Sequence, residues 1–114
     1  EEIKDYMAIC DELGLSALVE AHDEAEVEMA IRCGARLIGV NNRNLKDFSV
    51  DTGNSGRLRQ MIPEGITFVS ESGIAGPEDV AEVNAMGADA LLVGEALMRA
   101  PDKKARLAEL KSLI

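Results

Sequence analysis

The stretch GITFVSESGIAGPED, residues 65–79, decides the fold. A glycine opens it and an apolar run fit for burial follows. Glu71, Ser72 and Gly73 then arrive together as the run ends, and Pro77-Glu78-Asp79 begins a helical pattern. Any solvated turn could finish a strand. A carboxylate, a hydroxyl and a glycine in a row, just where a buried strand emerges, point instead to a site.

The same grammar recurs along the chain. GLSALVE starts at Gly14, GARLIGVNN at Gly34 and GADALLVGE at Gly87, each running from a glycine through apolar residues into polar ones. Ala35–Val40 and Ala88–Val93 are nearly continuous in apolar character, as strands covered on both faces require. Between them lie helical patterns. Asp23 and Glu26 form a candidate capping box, and Val27, Ala30 and Ile31 make an apolar stripe ending at Gly34. In the later unit Pro77 suits a first helical turn, Glu78 and Asp79 suit the positive end of a helix dipole, and Val80, Val83 and Ala85–Met86 form the side to be buried. Residues 54–62, stopped by Pro63, and residues 102–113 carry further helical patterns.

The predicted order is α-β-α-β-α-β-α-β-α, which with right-handed crossovers means a parallel sheet. A doubly wound dinucleotide fold needs a Gly-x-Gly-x-x-Gly turn after its first strand, but the first strand here ends in Glu20-Ala21-His22. A (β/α)8 barrel gathers its site at the C-terminal ends of its strands and binds phosphate after the last two, near a short extra helix. Each strand end here is polar, and GEALM after the final strand suits that helix. Four units supply half the strands of such a barrel.

Composition narrows the partners. The 114 residues carry 12 Lys+Arg against 21 Asp+Glu, a formal net charge of −9, which disfavours nucleic acid and anionic membranes. An anion would have to be held by a local arrangement of backbone N–H groups. No signal peptide opens the chain and no apolar run approaches the ~20 residues that span a bilayer, so a cytoplasmic location is expected. Cys10 and Cys33 lack metal-ligand spacing and are expected as buried free thiols. The start without Met, inside a helical pattern, suggests a fragment.

Glu20 ends the first strand, where loss of water would suit a carboxylate to proton transfer. Asn41, Asn42 and Arg43 end the second, and Glu71, Ser72 and Gly73 the third; Gly94 ends the fourth and precedes Glu95. Backbone N–H groups at that helix start can hold an anion while the Glu95 side chain points to solvent. His22, without a Ser or Cys partner, reads as a loop or packing residue. The methionines read as core filler, and the charges of Asp23–Glu28 as a solvated helix face. No lysine ends a strand.

SALVEAHDEAEVEMAIRCGARLIGVNNRNLKDFSVD, VSESGI and GADALLVGEALMRA together resemble the C-terminal half of indole-3-glycerol phosphate synthase, over essentially the whole chain. The resemblance implies a (β/α)4 half of a ribulose-phosphate-binding (β/α)8 barrel. Residues 1–114 would then be one unit carrying the family's strands five to eight. It implies a carboxy-lyase of tryptophan biosynthesis that closes the indole ring of 1-(2-carboxyphenylamino)-1-deoxyribulose 5-phosphate with decarboxylation and dehydration, using no organic cofactor and no metal. By the same resemblance Glu20, Asn41 and Glu71 are catalytic. Arg43, Ser72, Gly73, Gly94 and Glu95 bind substrate, mostly its phosphate. Asn44 stands where the family's turn often has Asp. The family's strand-end lysines belong to the N-terminal half, so the chain alone is expected to be inactive. The expected partners are the phosphosugar substrate and either the missing N-terminal half-barrel or a second copy. The alternative reading is a non-catalytic half-barrel that self-assembles into a dimer or pseudo-barrel.

Overall fold

The computed structural model describes residues 2–43, 46–47, 49–51 and 53–114; Asn44 lies outside them. Helix α1 (Glu2–Glu12) leads into β1 (Val19–Ala21), α2 (Glu24–Arg32), β2 (Leu37–Asn41), α3 (Gly53–Arg59) and β3 (Thr67–Glu71). There follow α4 (Pro77–Ala85), β4 (Ala90–Leu92), the short α5 (Glu95–Met98) and α6 (Lys103–Leu110). The strands form one sheet in the order β1-β2-β3-β4, every pair parallel. Sequential order, parallel pairing and an intervening helix at each step are the alternation read from the glycine-led units.

Those glycines turn the chain from helix to strand. Gly14, Gly34, Gly65 and Gly87 all have positive φ, between 72° and 97°. Added side chains at Gly14, Gly34 and Gly65 would meet nothing within 4 Å, so backbone conformation and not space demands glycine there. Asp23 caps α2 by accepting from the Glu26 N–H at 2.9 Å. The Glu26 carboxylate reaches the amide of His22, one residue short of the reciprocal box, at 3.0 Å. Before α4, Asp79 accepts from Ala75 N–H (2.9 Å) and Gly76 N–H (3.1 Å), and Pro77 opens the helix.

One face of the sheet carries the core. Ile38, Val40 and Phe68 project from β2 and β3 against Val27 and Ala30 of α2 and Leu58 of α3, all buried. A second cluster joins Ile74, Val80, Val83 and Leu110 beneath α4 and α6, with Leu91 and Leu97 packed against it. Arg59 closes the first cluster, its guanidinium 5.6 Å from the Phe68 ring and bonded to the carbonyls of Gly87 and Ile62.

Four expectations are corrected. Ala85 is exposed, because the buried stripe of α4 narrows to Val80 and Val83 with Met86 partly covered. Met29 and Met98 are exposed, whereas Met7, Met61 and Met86 pack on the core. Cys10 and Cys33 are free thiols, but each is only half-buried. The strands also differ in cover. β2 is buried on both faces apart from half-buried Leu37, whereas Leu18 before β1 is 41% exposed and Leu92 of β4 is 52% exposed. Apolar runs signal two-sided burial, and at these outer strands the chain supplies cover for one side.

Replacing Phe68 by Ala removes the largest fully buried side chain and the surface on which Arg59 rests. Urea unfolding is expected to show a loss of about 3–5 kcal/mol, against less than about 0.5 kcal/mol for Thr67→Ala on the exposed neighbour.

Candidate active site

Because the four strands run the same way, their C-terminal ends form one rim. Glu20 stands opposite Gly39, Gly39 opposite Val69 and Val69 opposite Ala90; one tier nearer the rim, Asn41 faces Glu71 and Glu71 faces Leu92. Side chains two apart share a face, so Glu20, Asn41 and Glu71 point to the side opposite the helical core. A cavity of about 1020 Å³ opens there. Its lining includes Glu20, Asn41, Arg43, Glu71, Ser72, Gly73, Gly94 and Glu95, so every sequence-predicted site residue is brought together.

The amide of Asn41 is fully directed. Its Nδ2 donates to Glu20 Oε1 at 2.8 Å, and its Oδ1 accepts from the Arg43 N–H at 2.9 Å. The Asn41 carbonyl receives the His22 ring at 2.9 Å. A carbonyl only accepts, so Nδ1 carries the proton, and the histidine has the loop role expected of it.

Glu20 lines the cavity but is exposed; the burial expected for it falls on Glu71, which is 4% exposed. Glu71 Oε2 is buried without a hydrogen-bond partner among the described residues. Burial, and after it the charge of Glu20, push the Glu71 carboxyl from its ordinary 4.5 up to about 7. An acid so placed is poised to give or take a proton near neutrality.

The recess that holds this carboxyl comes from a residue sequence reasoning passed over. A Cβ added to Gly39 would fall 2.1 Å from Glu71 Oε2 and 3.1 Å from Leu18 Cδ1. The missing side chain in the middle of β2 is the space into which Glu71 folds. The signal was present in GARLIGVNN, where an isolated glycine inside an apolar strand marks a close approach.

Two loops complete the rim. Gly73 has φ 84°, and Ser72 is a positive-φ residue other than glycine, at 67°. The Gly94 carbonyl accepts from the N–H groups of Leu97 (3.1 Å) and Met98 (2.9 Å), opening α5. Glu95 does more than face solvent: it lies 3.0 Å from Arg99 and 3.6 Å from Arg43. Arg99 and Arg106 also line the cavity, two cations that the sequence reading did not place there.

The chain as a whole has known relatives. A family model described as indole-3-glycerol phosphate synthase matches residues 1–110. The chain belongs to the indole-3-glycerol phosphate synthase family. The indole-3-glycerol phosphate synthase of Ruminiclostridium cellulolyticum is 55% identical over 111 residues, covering 97% of this chain and 43% of that protein. That of Leuconostoc mesenteroides subsp. mesenteroides is 51% identical over 111 residues, covering 97% and 42%. The chain thus spans less than half the length of these relatives. Among solved structures, an N-acetylmannosamine-6-phosphate 2-epimerase from Clostridium perfringens superposes with a TM-score of 0.73 at 19% identity, covering all of this chain and 50% of that one. The KDPGal structure follows at 0.69 and 17%, covering 88% and 48%. At such identities the likeness is one of fold: four parallel β/α units, half of a (β/α)8 barrel. Among the described residues no helix is long and apolar enough to cross a membrane.

A carboxyl whose pKa rises on folding adds stability while protonated. That contribution is complete below about pH 4.5 and is lost as pH climbs through about 7. Glu71→Gln should therefore flatten the fall in unfolding free energy between about pH 5 and about pH 8, gaining roughly 2–3 kcal/mol at the upper end. Gly39→Ala, which evicts the carboxyl from its recess, should return the Glu71 titration seen by carboxyl-carbon NMR toward the ordinary range. An unmoved titration in that variant would count against the recess as its cause.

Proposed function

We propose that this chain carries the strands-five-to-eight half of an indole-3-glycerol phosphate synthase active site. The supporting observation is the convergence of Glu20, Asn41 and Glu71 with the Ser72–Gly73 and Gly94–Glu95 loops on one cavity, in a chain of that family. The substrate is 1-(2-carboxyphenylamino)-1-deoxyribulose 5-phosphate, and the reaction closes a ring, releases carbon dioxide and then sheds water. Ring closure needs a proton at the carbonyl oxygen, and dehydration needs a proton on the departing hydroxyl and a base for the ring proton. Two carboxyl groups in unlike surroundings, exposed Glu20 and buried Glu71, suit that exchange. Asn41 fixes Glu20 by a direct hydrogen bond. Arg43 and the two loops take the anionic ends of the substrate, with backbone N–H groups facing the phosphate.

The chain alone is silent in this reading, because further acid groups and the opposite wall of the cavity belong to the other half of the barrel. Losing a positioned general acid costs roughly 10²–10⁴-fold, and losing the wall removes positioning as well. Indole-3-glycerol phosphate formation, followed by fluorescence, should be undetectable with the purified chain. It should appear on mixing with the segment that precedes the matched region in the relatives. Full turnover by the chain alone, or none from the mixture despite a stable complex, would refute the assignment.

A second reading, a non-catalytic half-barrel that pairs with its own copy, is supported by the uncovered flanks of the cavity. β1 and β4 are the outer strands, their outer edges unpaired among the described residues, and Leu18 before β1 and Leu92 in β4 stand exposed. Two copies would bring eight strands to one closed sheet. Light scattering at micromolar concentration is expected to give at least twice the chain's mass; a compact monomer would exclude this pairing.

A further inference from the structure

We propose that Asn42 is a positioning residue for the phosphate loop: its buried amide holds Ser72 in the left-handed backbone conformation that lays Ser72 and Gly73 along the cavity. The inference rests on the reading of that loop as a phosphate grip. Asn42 itself is 1% exposed and, as the neighbour of Asn41, turns to the helix side of the sheet. It would act on the ligand only through Ser72.

The amide of Asn42 spends its whole capacity. Its Oδ1 accepts from the Ser55 N–H at 3.1 Å and from Ser55 Oγ at 2.7 Å; its Nδ2 donates to Ser70 Oγ at 3.0 Å and to the Ser72 carbonyl at 3.1 Å. Two donors and two acceptor sites are all that an amide offers. The orientation is forced at both ends. A backbone N–H can only donate, so the oxygen faces Ser55; a carbonyl can only accept, so the nitrogen faces Ser72. The third side of the ring, Ser55 Oγ to Ser70 Oγ at 2.8 Å, follows. The Ser55 proton is committed to Asn42, so Ser70 donates there. Asn42, Ser70 and Ser55 thus form a closed circuit in which each hydroxyl gives one hydrogen bond and receives another, an arrangement that stiffens all three.

This circuit ends on the one non-glycine residue with positive φ among the described residues. Ser72 has φ 67° and Gly73 follows at 84°. Glycine adopts that region freely, whereas for serine it is disfavoured by roughly tenfold in population. The main chain is tethered alongside, with the Asn42 N–H donating to the Glu71 carbonyl at 2.8 Å and the Asn42 carbonyl accepting from the Asp51 N–H at 2.8 Å. β2, the start of α3 and the loop after β3 therefore meet at one side chain.

The test titrates the full 114-residue chain with inorganic phosphate by amide NMR, and reads the Ser72 HN–Hα coupling and carbon shifts as reporters of φ. Asn42→Ala should weaken phosphate by roughly tenfold and move the Ser72 signals toward negative-φ averages. Placing Ser72→Gly in the same background should bring affinity back to within about threefold of the Ser72→Gly chain alone, since glycine needs no latch. General loosening of the fold would not be rescued this way. Should Asn42→Ala not fold, Ser55→Ala loosens the latch from its far side and should cost about threefold, with a smaller shift at Ser72. Unchanged phosphate affinity and unchanged Ser72 signals in the folded variants would overturn the proposal while leaving the phosphate reading intact. If the unmodified chain shows no phosphate response, the phosphate reading fails instead, and the Ser72 signals of the variants still decide whether Asn42 sets that backbone.

Discussion

The parallel register of β2 against β3, Asn41 beside Glu71, governs everything at the rim. Successive strand residues face opposite ways, so that one pairing makes two assignments together. Asn41 and Glu71 go to the cavity, while their neighbours Asn42 and Ser70 go to the helical side, where Ser55 waits. A slip of one residue would exchange the sets, placing a carboxyl in the helical core and a serine at the mouth. The register is held by side chains and by main chain: Ile38, Val40 and Phe68 bury against α2 and α3, and the Asn42 N–H extends the ladder one bond past the strand.

Cations gather in the cavity of an acidic chain, where Arg43, Arg99 and Arg106 balance Glu20, Glu71 and Glu95. A net charge of −9 repels anions at a distance, yet Arg43, Arg99 and Arg106 line the cavity with the Ser72 and Gly94 loops. Glu95 touches Arg43 and Arg99, so an incoming anion meets guanidinium groups already engaged by a carboxylate. Those pairs are largely exposed, where solvent screens them and an ion pair contributes little. On the proposed reading a phosphate would displace such a partner cheaply, and the glutamate would keep the two cations from repelling each other until then.

Much of this could be read from the residues. The glycine-led units, the parallel sheet and the rim positions of Glu20, Asn41, Glu71, Ser72, Gly73 and Gly94 follow from periodicity and strand ends, because local patterns fix where strands stop. What escaped was set by contacts distant in sequence. Gly39 serves Glu71 across 32 positions, and Asn42 reaches Ser70 and Ser72 across 28 and 30. Neither partner is visible in a local window. Burial of Glu71 rather than Glu20 escaped for a related reason. Both end apolar runs, but β3 is an inner strand and β1 an outer one, a matter of sheet order and not of composition.

On the proposed reading, that difference bears on how the barrel's chemistry would be divided. The recess around Glu71 is made by Gly39 and Leu18, with Val69 one tier below, all from this chain. Its carboxyl is therefore out of water before any other wall is added. Glu20 stands at the uncovered edge, and its surroundings depend on whatever closes that side. A proton-holding group conditioned from within the half, beside one conditioned from outside it, separates two requirements of an acid–base pair. The buried acid comes with the fold of four β/α units, whereas the character of its partner is fixed only when the rim is completed. Closure would then act chiefly on Glu20, on the uncovered Leu92 and on the exposed ion pairs of Glu95, leaving the Asn42 circuit and the Gly39 recess of Glu71 as they stand.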